Sequence, residues 1–318
     1  MSNDLRDATA TDSQLESARP MTTIELSQLT EQDRKHKASE QASEPLRRRT
    51  RRQRLFLDAV LALVGVAFIL PLLWLLDAAF NQNASQAMSW PSLTLSNFHS
   101  AVAAGAGGAI KNSLYLAVVS TIIATFVSIL AAYALSRRRV PLKGLLLIGI
   151  IFLTGLPITL LLIPIYVMYV HLGWDNSPFY TSVALAATSV PFAIWLLKNF
   201  IDQVPREFEE AAAIEGSGNI RILWKVVIPL ALPGICVAAI LTFINSWGAF
   251  LLPLVIDANP QNTPGALGIY EFMSANGRVE FGPLAAYAIL FSIPVIVLYL
   301  ISTRWLHGGF AFAGGVKG

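Results

Sequence analysis

Six long apolar runs govern what this chain can fold into. They cover residues 55–80, 110–135, 145–170, 179–200, 226–256 and 284–306. Each approaches or exceeds the roughly 20 apolar residues that a helix needs to cross a bilayer. No water in the hydrocarbon core satisfies backbone N–H and C=O groups, so each run must close its own hydrogen bonds as a helix. The expected fold class is therefore all-α: a polytopic membrane protein with six transmembrane helices. Composition agrees. The chain is 54% hydrophobic and 14% charged, where soluble domains carry about 25% charged residues, and its mean hydropathy is +0.57.

Residues 1–54 are rich in Ser, Thr, Asp, Glu, Lys and Arg and almost free of aromatics. Such a segment buries too little apolar surface to offset its ordering entropy. It reads as a disordered cytoplasmic tail, and not as a signal peptide, because the first apolar run starts late and is too long. The expected division is 1–54 tail, 55–306 membrane domain and 307–318 C-terminal tail.

Basic residues set the orientation, because short cytoplasmic loops retain Lys and Arg. Arg47, Arg48, Arg49, Arg51, Arg52 and Arg54 precede the first run. Arg137, Arg138, Arg139 and Lys143 follow the second, and Lys198, Arg206, Arg221 and Lys225 flank the loop after the fourth. Arg304 and Lys317 lie at the C-terminal end. Of the 23 Lys and Arg, only Lys111 and Arg278 fall on the opposite side. Both termini are expected in the cytoplasm. The run at 47–54 then reads as a topology anchor attracted to anionic membrane lipid, and the pI near 9.0 implies no nucleic-acid partner. Trp74, Trp90, Trp174, Trp195 and Trp305 sit near span ends, where indole favours the interface.

The span centres are almost bare of charge. Asp58, Asp77, Lys111 and Asp257 lie at or near span ends, and none of His36, His99, His171 and His307 is mid-span. Ion-coupled transporters bury titrating groups there, which weighs against a stand-alone secondary transporter. No paired aspartates, Ser/His pair or HExxH helix supports a membrane enzyme. Without GxxxxGK[ST] the chain has no P-loop of its own, so energy for uphill transport must enter through a partner. The single cysteine, Cys236, reads as a small buried hydrophobe, and no Cys/His cluster implies a metal.

Prolines 157, 164, 191, 253 and 294 interrupt the spans. Each removes a backbone donor, and the result is either helix curvature or the wall of a polar path. Pro191 and the triplet Asn245, Ser246 and Trp247 are the candidate path residues, since sugars are held by aromatic faces with amide or hydroxyl partners. An interhelical hydrogen bond of about 1 kcal/mol is the competing reading of the triplet.

The longest internal cytoplasmic segment is DQVPREFEEAAAIEGSGNIRILWK, residues 202–225. Pro205 and Asp202 suit a helix start, with Asp202 as cap. Glu207, Glu209 and Glu210 favour the positive end of the dipole, and Gly216 is a stop. A helix of about three turns is expected, with a small Phe208/Ala211/Ala212 face. Taken alone it could rest on the bilayer or receive a partner. From Glu210, however, the residues read E-A-A, three residues, Gly216, nine residues, then Val226-x-Ile228-Pro229.

That spacing resembles the EAA loop of ABC importer permeases, E-A-A-x3-G-x9-I-x-L-P, with Val226 and Ile228 as conservative departures. Ile110-Lys-Asn-Ser-Leu, Ala131-Ala-Tyr-Ala-Leu-Ser-Arg, Pro191-Phe-Ala-Ile-Trp-Leu-Leu and Trp247 through Pro253 are similar to the carbohydrate-uptake permeases. Ala313-Gly-Gly-Val-Lys-Gly318 is similar to the tail of the MalG-like subunits. The resemblance covers about 55–318. It implies a bacterial plasma (inner) membrane permease subunit for a sugar or oligosaccharide, not itself an enzyme. Glu210, Ala211, Ala212, Gly216 and Pro229 would form a coupling helix seated in an ATPase subunit, and Gly314, Gly315, Val316 and Lys317 a tail that reaches it. The implied partners are a second homologous permease, two ATPase subunits carrying ATP and Mg, and an extracytoplasmic solute-binding protein; this chain itself holds no cofactor. One departure stands out. Where many such permeases have Trp-Asn-Glu-Phe, this chain has Trp247-Gly-Ala-Phe250. A non-transporting scaffold would account for the spans but not for the loop spacing.

Overall fold

The computed structural model describes residues 53, 55–87, 92–272 and 279–314, with backbone alone at 271 and 305–314. The tail 1–52, the tail residues Gly315, Val316 and Lys317, Trp90 and Arg278, and the side chain of Trp305 lie outside what is described. Two compact units divide after Pro71. The described part of the first is the leading stretch of helix α1, Leu55–Phe80, with apolar side chains such as Leu61, Leu63 and Phe68 exposed.

Within the second unit the regular secondary structure of the described residues is helical, apart from one isolated bridge between Asn81 and Leu93. The helices are α2 Ser96–Ala103, α3 Ala106–Arg137, α4 Lys143–Thr154, α5 Ile158–Leu172, α6 Pro178–Asp202 and α7 Glu207–Ile214. There follow α8 Asn219–Ile222, a π-turn at Leu223–Val227, α9 Ile228–Trp247, α10 Leu251–Ile256, α11 Gly265–Gly268 and α12 Phe281–Gly314. Leu55–Phe80, Ala106–Arg137, Pro178–Asp202, Asn219–Trp247 and Phe281–Arg304 are each long and apolar enough to cross a membrane. The bent pair α4 and α5 makes a sixth if taken as one span.

The third apolar run is thus broken, with α4 and α5 meeting at 95°. Pro157 adopts an extended conformation, φ −61° and ψ 130°. A proline has no N–H and biases its predecessor away from α, so the ladder stops over Gly155–Leu156–Pro157. Pro164, Pro191, Pro233 and Pro294 stay inside continuous helices. The fifth span starts earlier than expected, at Asn219, and breaks after Trp247 before resuming as α10. Its π-turn ends two residues before Pro229, whose ring would clash with the carbonyl four residues back. Helix α12 runs past the expected boundary at 306 to Gly314, so the first part of the C-terminal tail is helical.

The centre is a seam between α3, α6 and α9. On α3 the buried face is Ala109, Ser113, Ala117, Ser120, Ala124, Ser128 and Ala132. It meets Ala186, Ser189 and Ala193 on α6 and Ala231, Gly234 and Ala238 on α9. Lipid supplies no hydrophobic drive between helices, so small residues that let backbones approach carry the packing. Gly234 shows how close: a Cβ there would lie 2.6 Å from Phe200 Cβ. Ser120 bonds back to the Leu116 carbonyl at 2.6 Å, and the Ser128 hydroxyl donates to Val190 O across the seam.

Candidate functional site

The C-terminal ends of α3 and α6 hold α7 between them. Helix α6 ends at Asp202 because Gln203 and Val204 turn ahead of Pro205. Asp202 therefore does not cap α7. Its carboxylate instead accepts from the Ser136 hydroxyl and from Lys198. Arg206 occupies the N-cap position, and its carbonyl receives the N–H groups of Glu209 and Glu210, both at 2.9 Å. The helix has eight residues, about two turns rather than three.

Its end is a Schellman motif. Ser217 N–H donates to Ala212 O and Gly216 N–H to Ala213 O, both at 3.0 Å, with Gly216 at φ +81°. That left-handed conformation favours glycine. Open space surrounds the position where a Gly216 Cβ would stand. The glycine of the EAA spacing is thus demanded by the backbone, yet faces outward with room for a neighbour.

The helix has an inner and an outer face. Ala212 packs against the cluster of Ile129, Ala132, Leu197, Ile201, Leu223 and Val227. Glu210 and Ala211 are exposed, as is Pro229 further along. Phe208, Ile214, Ile220 and Trp224 are 54%, 88%, 76% and 51% exposed. Phe208 and Ile214 belong to α7, whereas Ile220 and Trp224 open the fifth span, where exposed apolar side chains also suit lipid.

The clamp on the inner side was not read from the sequence, where Arg137 counted toward orientation and closed the Ala131–Arg137 stretch of the resemblance. Its guanidinium donates through Nε to Glu209 and through Nη2 to Ile201 O at 3.0 Å and Val204 O at 2.7 Å. Tyr133 adds a hydroxyl to Glu209 Oε2 at 3.3 Å. The side chains of Arg137 and Glu209 are only 9% and 13% exposed, and removing one partner of a buried pair costs about 3–5 kcal/mol. Carbonyls at a helix C-terminus lack intrahelical donors, and Arg's fork supplies several at once. The available signals were the stretch Ala131–Arg137, which ends the second span with a cation, and the acidic stretch after the fourth span.

The path candidates do not form one surface. Asn245 donates to Ser189 Oγ at 3.3 Å, toward α6 and the half-buried Pro191. Trp247 is buried on another side, stacked with Phe243 at 5.9 Å and with Phe291 of α12 at 4.9 Å. Residues two apart on a helix point to opposite sides, which separates the amide from the ring. Ser246 is buried as well, and its hydroxyl and the Trp247 indole N–H find no hydrogen-bond partner among the described residues. Of the tail candidates only Gly314, the last residue of α12, is described. Among the described residues no three His, Cys, Asp or Glu side chains are grouped to hold a metal ion.

Comparisons with known proteins converge. Residues 124–310 match the family model described as binding-protein-dependent transport system inner membrane component. The sulfoquinovosyl glycerol transport system permease protein SmoH of Agrobacterium fabrum is 36% identical over 213 residues, 65% of this chain and 72% of that one. The trehalose/maltose transport system permease protein MalG of Thermococcus litoralis is 30% identical over 66% of this chain and 75% of its own length. Among solved structures, a chain of a bacterial ABC transporter involved in import of the acidic polysaccharide alginate superposes with a TM-score of 0.68. That chain is 20% identical, and the match covers 79% of this chain and 96% of that one.

Proposed function

This chain belongs to the family of binding-protein-dependent transport inner membrane components, and on that premise we propose how it works as the permease subunit of an ATP-driven importer. It is an inner-membrane protein and not an enzyme; the ATPase is a separate subunit. Its cargo is a sugar or oligosaccharide, a reading supported by the relatives named for sulfoquinovosyl glycerol and for trehalose and maltose transport. The assembly is this chain, a second homologous permease, two ATPase subunits that hold ATP and Mg, and an extracytoplasmic solute-binding protein. Both termini face the cytoplasm.

One observation carries the mechanism: α7 is a short helix with an inner face locked to the membrane helices and an outer face left open. Glu210, Ala211, Ala212 and Gly216 form the coupling helix, and Pro229 lies in the first turn of α9, inside the span that follows. Closure of the ATPases on ATP moves α7, and α7 moves α3 and α6. The path between the two permeases opens alternately to the two sides. Pro191, Asn245 and Ser246 are offered as path residues from this chain. Trp247 joins them only if its stack with Phe291 opens during the cycle. The tail from Gly314 to Lys317 is a second contact with the ATPase.

Energetics separate this reading from a secondary transporter. Uptake of a panel of maltose, trehalose and related sugars by cells expressing the complete system should survive a protonophore when ATP is maintained, and stop when ATP is depleted. Uptake abolished by the protonophore at constant ATP would contradict it. The Gly216→Trp variant should insert normally and lose uptake, since it fills the open space on the outer face. Wild-type uptake in that variant would remove the coupling helix from the mechanism.

A further inference from the structure

The geometry points to Arg137 as a positioning residue that ties the coupling helix to the ends of two spans, so that α7, α3 and α6 move as one piece. The inference rests on α7 being the coupling helix, and adds where its motion goes. Helix α7 has eight residues, too short to be stable alone, because isolated helices below about 12–15 residues are marginal. Its backbone joins α6 through Gln203–Arg206, a link with no regular structure to transmit a push. Ala212 alone gives a slight apolar contact.

Arg137 closes that gap. It is the last residue of α3, and one side chain reaches three elements: Glu209 of α7, the Ile201 carbonyl of α6, and the Val204 carbonyl of the link. Tyr133, one turn earlier on α3, holds the second oxygen of Glu209. Ser136, also on α3, bonds Asp202 at the end of α6. Lysine could not reproduce this, since a single ammonium lacks the planar fork that bonds a carboxylate and carbonyls together. Arg137 touches neither solute nor nucleotide in this arrangement; it acts through α7. The glutamate that opens the EAA spacing, Glu210, points outward and is exposed. Neighbouring acidic residues therefore have separate duties: Glu209 faces inward to the clamp, Glu210 outward to the ATPase.

The test measures whether α7 and α3 stay together while the ATPase moves. In the complete complex, Cys236 of this chain is replaced by alanine, and spin labels are placed through Glu215→Cys on the α7 side and Arg139→Cys beyond α3. The distance is measured without nucleotide and after trapping with ADP and orthovanadate. The expected result is one narrow distance, the same in both states. With Arg137→Met added, the distribution should broaden and shift on trapping. A distance that shifts on trapping in the unmodified clamp overturns the proposal, as does an Arg137→Met complex as narrow and unchanging as its parent. If Arg137→Met does not assemble, Glu209→Gln decides the matter by the same shift, because it leaves the bonds to Ile201 and Val204 intact. The Gly216→Trp variant isolates the underlying reading. Trapped complex that still forms with that variant removes the coupling helix itself. Trapping lost there, with no shift in the clamp variants, removes only the role of Arg137.

Discussion

Glycines at two positions show how differently one residue type is used. Gly234 is where α9 meets Phe200, and a Cβ would stand 2.6 Å from the Phe200 Cβ and closer still to its Cγ. Those atoms are close to the backbone and cannot swing away. Overpacking of this kind costs about 1–3 kcal/mol. Gly234→Ala should therefore lower the thermal unfolding temperature of the purified complex. Gly216→Ala meets nothing within 4 Å and adds only the left-handed strain, about 1–2 kcal/mol, borne by a peripheral helix end. It should leave global unfolding nearly unmoved. Equal melting of the two variants would mean that the α6–α9 approach is looser than the structure has it. Gly216 was legible in sequence because its place is set by local chain geometry. Arg137 was not, because its partner lies 72 residues away and no periodicity encodes a contact across a loop and a span. The Asn245–Trp247 triplet divides between two sides of α9 for a related reason: residues adjacent in sequence face different neighbours on a helix.

At the scale of the elements, hydropathy located the membrane helices and left their interruptions open. A proline announces a missing donor but not how far the chain turns. Pro191 and Pro294 sit in unbroken helices, whereas Gly155–Leu156–Pro157 separates α4 and α5 by 95°. Two neighbours that are poor at continuing a helix, Gly155 before and Pro157 after Leu156, add up to a break. If α4 and α5 together cross the bilayer, the two ends face opposite sides. A cysteine at Arg139, in a background without Cys236, should react with a membrane-impermeant maleimide only in inside-out vesicles, and one at Gly173 only from outside. Labelling of both from the same side would make the pair a re-entrant loop, and would also reverse the orientation inferred for everything after it. Helix α7 shows the same limit. Its composition predicts a helix ending at Gly216, and the ending is where expected; its start moves to Glu207 because Pro205 closes α6 rather than opening α7.

For the whole molecule, the fold class was legible because lipid leaves so few choices: backbone in a bilayer closes as helices or as a barrel, and long unbroken apolar runs select helices. The way the helices associate was less so. Alanine and serine spaced three and four apart along α3 look unremarkable in a hydropathy profile, yet they form the seam on which α6 and α9 close. Seam and clamp make one unit of three spans with a handle at one end. Everything turns on whether a motor holds that handle. The most direct test is to tag the chain, isolate it gently from its native membranes, and assay the isolate for ATP hydrolysis beside the Gly216→Trp variant. An ATPase subunit should accompany the wild-type chain and be lost from the variant. A chain that comes away alone, with no hydrolysis in either preparation, would contradict the coupling mechanism.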